Sequence, residues 1–124
     1  MKRKRVIIAG SRNFQDYDQL EHEVLELIHP GFDNPIIISG TAAGADQLGE
    51  KFAEKYNLQL VKMPAEWETY GKRAGHIRNA RMADYASEGD GMLIAFWDGE
   101  SPGTKGMIDI ARKKGLEVNI FQTK

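Results

Sequence analysis

Ile36-Ile37-Ile38-Ser39-Gly40-Thr41-Ala42-Ala43-Gly44-Ala45-Asp46 is the stretch whose reading decides the fold. Three consecutive β-branched residues after Pro35 read as a strand buried on both faces. Beyond Asp46, apolar residues return at Leu48, Phe52 and Tyr56, the spacing of one helix face. A buried strand therefore runs into a small-residue loop and then a helix. A helix N-terminus has free N–H groups and partial positive charge, and small residues let an anion approach them. Two readings stand at this point: a cradle for something negatively charged, with Ser39, Gly40 and Gly44 around it, or a tight packing turn. The loop is not a Walker A loop, since no Lys-Ser or Lys-Thr follows Gly44 at the required place. Nor is it the G-x-G-x-x-G dinucleotide fingerprint.

The same alternation continues on both sides. Upstream, Val6-Ile7-Ile8-Ala9-Gly10 is a buried strand ending at Gly10-Ser11-Arg12. Tyr17, Leu20, Val24, Leu27 and Ile28 then recur at helical spacing, with Asp18 and Glu21 placed as a capping pair and His29-Pro30-Gly31 as a stop. Downstream, the helix after Asp46 runs to about Tyr56, turns at Asn57, and leads to a strand from Leu58 to Met63 closed by Pro64. Ala65 to Gly75 reads as the longest irregular stretch, a length that marks functional or mobile loops in a small domain. A helix is expected from His76 to Ala86, with Ile77, Ala80, Ala83 and Tyr85 inward. Met92 to Trp97 is a fourth strand and leads into Asp98-Gly99-Glu100-Ser101-Pro102-Gly103-Thr104. Met107, Ile108, Ile110 and Ala111 mark a last helix capped by Gly115, and Val118 to Phe121 a closing strand.

Alternating strands and helices, with strands that are mostly unbroken apolar runs, predict an α/β fold: a mostly parallel five-stranded sheet with helices on both faces. Right-handed crossovers put every β–α loop at the carboxyl edge of the sheet, where such folds bind ligands at a switch point. The loops at Gly10, Gly40–Gly44, Pro64–Gly75 and Trp97–Thr104 then share one edge.

A length of 124 residues is that of one domain, expected to span 1–124. The formal net charge of −1 makes no global electrostatic case for nucleic acid or an anionic membrane. There is no cysteine, so disulfides and thiolate metal sites are excluded. The cationic start, Met1-Lys2-Arg3-Lys4-Arg5, is followed by too few apolar residues for a leader or a membrane span, and a cytoplasmic protein is expected.

"SGTAAGAD" (39–46), "GKRAGHIRNARM" (71–82) and "FWDGESPGTKG" (96–106) together resemble the SLOG superfamily, named for the Smf/DprA and LOG proteins, and within it the YspA/YpsA-related branch. The likeness runs from Gly10-Ser11-Arg12 through Gly103-Thr104, in the family's order. It implies a Rossmann-like three-layer sandwich that binds nucleotides or nucleotide-derived molecules, possible ADP-ribose types included. Members of the superfamily include phosphoribohydrolases that release a base from a nucleoside monophosphate, ligand-sensing domains, and DprA proteins, which bind single-stranded DNA. In the LOG enzymes an arginine in an R-K/N-x-x-M helix and a glutamate in G-G-x-G-T-x-x-E carry the chemistry. Arg78-Asn79-Ala80-Arg81-Met82 keeps the arginine and the methionine, whereas Gly103-Thr104-Lys105-Gly106-Met107 puts Met107 where the glutamate would be. A thioether does no useful proton transfer.

The expected ligand-binding set is Gly10, Ser11, Arg12, Ser39, Gly40, Gly44, Asp46, Arg78, Asn79, Gly103 and Thr104. Arg12, just past a strand end, presents a fork of donors that suits phosphate, against a plain solvated arginine. Gly103-Thr104 opens the last helix and repeats the first loop's arrangement, or is merely a helix start after Pro102. Arg78 matches the family's functional arginine. Asp46 reads as a helix N-cap, or as a partner for a ribose hydroxyl. Trp67, Tyr70 and Trp97 are rings on which a base can stack, with core packing the competing role for Trp97. His76 has no second ligand at metal spacing, so no metal is expected, and no cofactor.

The function expected is binding or sensing of a nucleotide-type small molecule, by a homo-oligomer (a dimer) that uses neither nucleic acid nor membrane. The alternatives are an N-glycosidic hydrolase that uses Arg78 with Asp46, Asp98, Glu100 or Asp109 as its acid, and single-stranded DNA binding like DprA. No catalytic residue is assigned.

Overall fold

Residues 2–123 are described by a computed structural model of the chain. Five strands, β1 (Lys4–Gly10), β2 (Ile36–Ser39), β3 (Gln59–Lys62), β4 (Asp90–Trp97) and β5 (Glu117–Gln122), form one sheet in the order β3-β2-β1-β4-β5. Every neighbouring pair is parallel, where the sequence predicts only a mostly parallel sheet. The central strands are the purest apolar runs because both of their faces are covered. Val6, Ile7, Ile8, Ile37, Ile38, Leu93 and Ile94 have no exposed surface. Burying each such side chain is worth about 1.5–3 kcal/mol.

The helices divide between the two faces. α1 (Tyr17–Leu27) and α3 (Ala45–Lys55) cover one, where Leu20, Val24 and Phe52 pack with Val6, Ile8, Ile37 and Phe96. α5 (Ala74–Ser87) and α6 (Pro102–Lys113) cover the other, where Met82, Ala83, Met107 and Ile108 pack with Ile7, Ile38 and Leu93. Two single-turn helices complete the chain, α2 (Pro30–Asp33) and α4 (Trp67–Tyr70). The order puts the switch point between β1 and β4, whose following loops turn to opposite faces and leave a crevice at their carboxyl ends.

Local readings are corrected in four places. The segment expected to be irregular from Ala65 to Gly75 contains α4, a 3-10 turn over Gly71–Arg73 and the first residues of α5, which starts at Ala74. His29-Pro30-Gly31 starts the α2 turn as well as ending α1: Pro30 occupies its first position and the His29 ring accepts from the Phe32 N–H (3.1 Å). Asp16, not Asp18, caps α1 by accepting from the Gln19 N–H (3.0 Å). On α5 the side chains turned inward are Asn79, Met82, Ala83 and Ala86, while Ile77 and Ala80 are only half-buried. Gly115 does follow the last helix with φ 77°, and the Leu116 N–H reaches back to the Ala111 carbonyl (3.0 Å). Among the described residues no helix is long and apolar enough to cross a membrane.

Candidate functional site

Between the ends of β1 and β4 lies a cleft of about 400 Å³. Gly10 at the end of β1 and Ser11 and Arg12 of the β1–α1 loop contribute to it, as do Asp46 of α3, Arg78 and Asn79 of α5, and Gly103 and Thr104 of α6. Met82 and Met107 form part of its apolar lining. A second lobe of about 330 Å³ lies over the ends of β2 and β3 and is lined by Gly40–Ala43, Pro64, Ala65 and Trp67. Arg12, Ala42 and Arg78 line both.

The two strand–loop–helix turns that face this edge differ in what fills them. In the β2–α3 turn, protein atoms do. The Ser39 hydroxyl is fully buried, donates to a Glu50 carboxylate oxygen (2.7 Å) and accepts from the Thr41 N–H (3.0 Å). Asp46 is not the N-cap expected from the sequence. It is the second residue of α3, and its carboxylate reaches back to accept from the Ala42 N–H (3.2 Å). The Ala45 N–H, at the start of α3, donates to the Ser11 carbonyl (3.3 Å). A Cβ on Gly44 would lie 2.3 Å from the Ser11 carbonyl oxygen, and the residue sits at φ 79°. A Cβ on Gly40 would lie 2.8 Å from both Arg78 Nη1 and an Asp46 carboxylate oxygen. Ser39 and Gly44 therefore build the turn and line neither lobe. Gly40 reaches only the second lobe, through a surface that Arg78 already covers.

The β4–α6 turn is open. Asp98 organises its loop by accepting from the Glu100 N–H (2.9 Å), the Ser101 N–H (2.8 Å) and the Ser101 hydroxyl (2.9 Å). These bonds, the Ser101 N–H first, hold its carboxyl below the usual range. The Ser11 hydroxyl accepts from the Asp98 N–H (3.1 Å), which ties this loop to the end of β1. Ser101, the N-cap of α6, makes no side-chain bond to the helix. A Cβ on Gly103 would meet nothing within 4 Å. The first-turn N–H groups of Gly103 and Thr104 thus edge the cleft without a side-chain cap.

The start of α5 bridges the two turns. Arg78 Nη1 donates to the Gly40 carbonyl (2.6 Å) and its Nε to the Asn79 carboxamide oxygen (2.8 Å), while Asn79 Nδ2 donates to the Gly103 carbonyl (3.4 Å). Arg78 is half-buried, and burial lowers its pKa from the usual value, a pull that Asp46 opposes. Asp46 is only 5 % exposed. Burial pushes its carboxyl up to about 6, and the Ala42 N–H, Arg78 and Arg12 only partly offset that burial.

Of the four acids considered for catalysis, Asp46 and Asp98 line the cleft. Glu100 is exposed, and Asp109 is exposed and paired with Lys105 (3.0 Å). Trp97 is an anchor, its Nε1 donating to the Ser101 carbonyl (3.1 Å). Trp67 is 52 % exposed at the second lobe, and Tyr70 accepts from Arg81 (3.1 Å) on the outer surface. Met107 is both core and cleft wall, 2 % exposed. Sequence reasoning missed the role of Ser101. Its signal was the Asp98-x-x-Ser101 spacing, in which an Asp side chain turns back onto the following N–H groups. Among the described residues no three His, Asp or Glu side chains converge as a metal set.

Residues 4–70 match a family model described as YAcAr: YspA, cpYpsA-related SLOG family. The "Gene 61 protein" of Mycobacterium phage D29 is 31% identical over 126 residues, covering 98% of each chain. Among solved structures, DNA processing protein A (DprA) from Streptococcus pneumoniae superposes with a TM-score of 0.71 over 99% of this chain at 16% identity. The chain spans about half the length of that protein (51%), and the likeness is one of fold.

Proposed function

The chain belongs to the YspA, cpYpsA-related SLOG family, and on that premise we propose that it binds a nucleotide or nucleotide-derived small molecule in the cleft at the β1–β4 switch point. The observation that carries this reading is a cleft lined both by the uncapped start of α6 and by two arginines, Arg12 and Arg78. Peptide N–H groups at a helix start and forked guanidinium donors are the two kinds of group that hold phosphate best. Arg78 is held in place by Gly40 and Asn79, so little side-chain entropy remains to be lost on binding. The apolar wall at Met82 and Met107 suits the face of a sugar or base. A thermal-shift screen of AMP, ADP, ADP-ribose and inorganic phosphate tests it. A ligand at 100 times its Kd stabilises by about 2.7 kcal/mol, and no shift with any nucleotide would refute the reading.

A second reading, base release from a nucleoside monophosphate, is favoured by one observation. Asp46 is a buried carboxyl on the cleft whose pKa burial raises to about 6, closer to neutral than an ordinary aspartate. Met107 at the position of the LOG enzymes' glutamate speaks against it, because the oxocarbenium-like transition state then lacks that carboxylate, a loss on the order of 10²–10³ in rate. Free adenine appearing when the protein is incubated with AMP, and disappearing in Asp46→Asn, would establish hydrolysis over binding alone.

A further inference from the structure

The second lobe has no role in the reading above, yet it opens onto the same two arginines as the first. Arg12 and Arg78 stand at the junction, so a phosphate held there has space on both sides. The lobes measure about 400 and 330 Å³. Each falls at the lower end of the roughly 300–1,000 Å³ typical of small-molecule sites. The far wall is Pro64, Ala65 and the indole of Trp67, an apolar strip after β3. Trp67 is half out in solvent, and its carbonyl accepts from the Gly71 N–H, but among the described residues its indole N–H has no partner. A large exposed ring at the mouth of a pocket is where an aromatic partner binds.

The indole and the Arg78 guanidinium flank the same small residue. A Cβ on Gly75 would lie 3.5 Å from Trp67 Cη2 and 3.8 Å from Arg78 Nη2. One molecule can therefore touch both. Thr41, which lines the same lobe, holds φ 67°, an uncommon conformation for a β-branched residue, and its N–H donates to the Ser39 hydroxyl (3.0 Å). Two guanidiniums with the Asp46 carboxyl near them suit a short bridge of one or two phosphates rather than a long polyanion.

We propose that the second lobe is an aromatic-ring subsite closed by Trp67, so that the molecule this chain takes carries two ring systems on either side of a phosphate bridge held by Arg12 and Arg78. This rests on the nucleotide reading above and names the class of nucleotide: a small dinucleotide.

The test is calorimetric titration of the whole chain with ADP, with diadenosine diphosphate (two adenosines joined through a pyrophosphate) and with a twelve-residue oligo-dA. The two-ring probe is expected to bind about tenfold tighter than ADP, the scale of one base stacked on an aromatic side chain. Trp67→Ala should remove that tenfold and leave the ADP affinity unchanged, while Trp67→Phe keeps most of it. Because Trp67 is exposed, both variants are expected to melt like the parent. Equal affinities for ADP and the two-ring probe, or a Trp67→Ala variant that weakens both alike, would overturn this inference and leave the nucleotide reading standing. Failure of both nucleotides to bind would overturn the two together. Affinity that rises steeply for the oligonucleotide would overturn it in favour of single-strand binding.

Discussion

The β2–α3 and β4–α6 turns look alike in sequence and differ in what occupies them. Both follow a buried strand, both carry glycine, and both start a helix. In the first, the space that glycine leaves is taken by the Ser11 and Arg12 carbonyls at Gly44 and by Arg78 and Asp46 at Gly40. In the second, the space beside Gly103 is empty. A glycine in such a loop says that something approaches closely, and the rest of the chain decides whether that something is protein or ligand. Here the first turn is a platform that orients Arg78, and the second is an open edge toward which Arg78 is held.

The largest effect that can break this contrast is on folding. Gly44→Val would force a β-branched residue to φ 79° with its Cβ 2.3 Å from a carbonyl oxygen, and the protein is expected to lose at least about 4 kcal/mol. A denaturant melt of this variant close to that of the parent would show that the first turn is not packed as described. Next comes Arg78→Ala, expected to weaken ADP roughly 10–100-fold by calorimetry, since hydrogen bonds to charged groups are worth about 1.5–3 kcal/mol. Unchanged affinity in a folded variant would leave Arg78 as a clasp between Gly40 and Asn79 alone.

Asp46 sharpens the comparison through pH. Its folded pKa of about 6 lies above the ordinary aspartate value, so the folded state resists ionisation. The stability this group allows is fully present below the unfolded pKa near 4 and is lost as pH rises through about 6. Asp46→Asn should therefore be more stable than the parent at pH 8, by about 3 kcal/mol, with the gap closing by pH 4. The groups that face Asp46 are Arg78 on α5, Arg12 on the β1–α1 loop and Glu50 on its own helix. An anion placed beside the arginines adds to the cost of ionised Asp46. Diadenosine diphosphate, whose bridge does not titrate in this range, should bind more tightly at pH 5.5 than at pH 8. A flat profile in both melts and titrations would mean that Asp46 is better solvated than its burial implies. The smallest effect belongs to the open turn. Gly103→Ala, at a helical position with free space, should raise stability by about 0.5 kcal/mol in the same melts. A loss there would mean that the space beside Gly103 is already taken.

Most of the architecture was legible from periodicity. Ile36-Ile37-Ile38 and Met92 to Trp97 are runs that only a strand covered on both faces explains, and the one-face spacing of Leu48, Phe52 and Tyr56 is that of α3. Strand order was not legible, because pairing across the sheet leaves no local mark. Trp67–Tyr70 was missed as a helix because a four-residue turn shows no repeat, and its ends are set by Gly71 at φ 58° and by Arg81, which bonds Glu66 and Tyr70 from α5. The residues that line the cleft were legible where type and position agree, as at Arg12, Arg78 and Gly103-Thr104. Ser39 and Gly44 were misread as cradle residues because the partners that fill their turn, Glu50 and the Ser11 carbonyl, come from a later turn of α3 and from the end of β1.

The open-edge account is tested most directly by following backbone amide resonances while ADP is added to the intact chain. The Gly103 and Thr104 N–H signals are predicted to move furthest, together with the Arg78 guanidinium signal, and to saturate with one ligand per chain. If Gly103 and Thr104 stay still while amides elsewhere in the chain shift and saturate, the phosphate does not sit at the start of α6 and the account is contradicted.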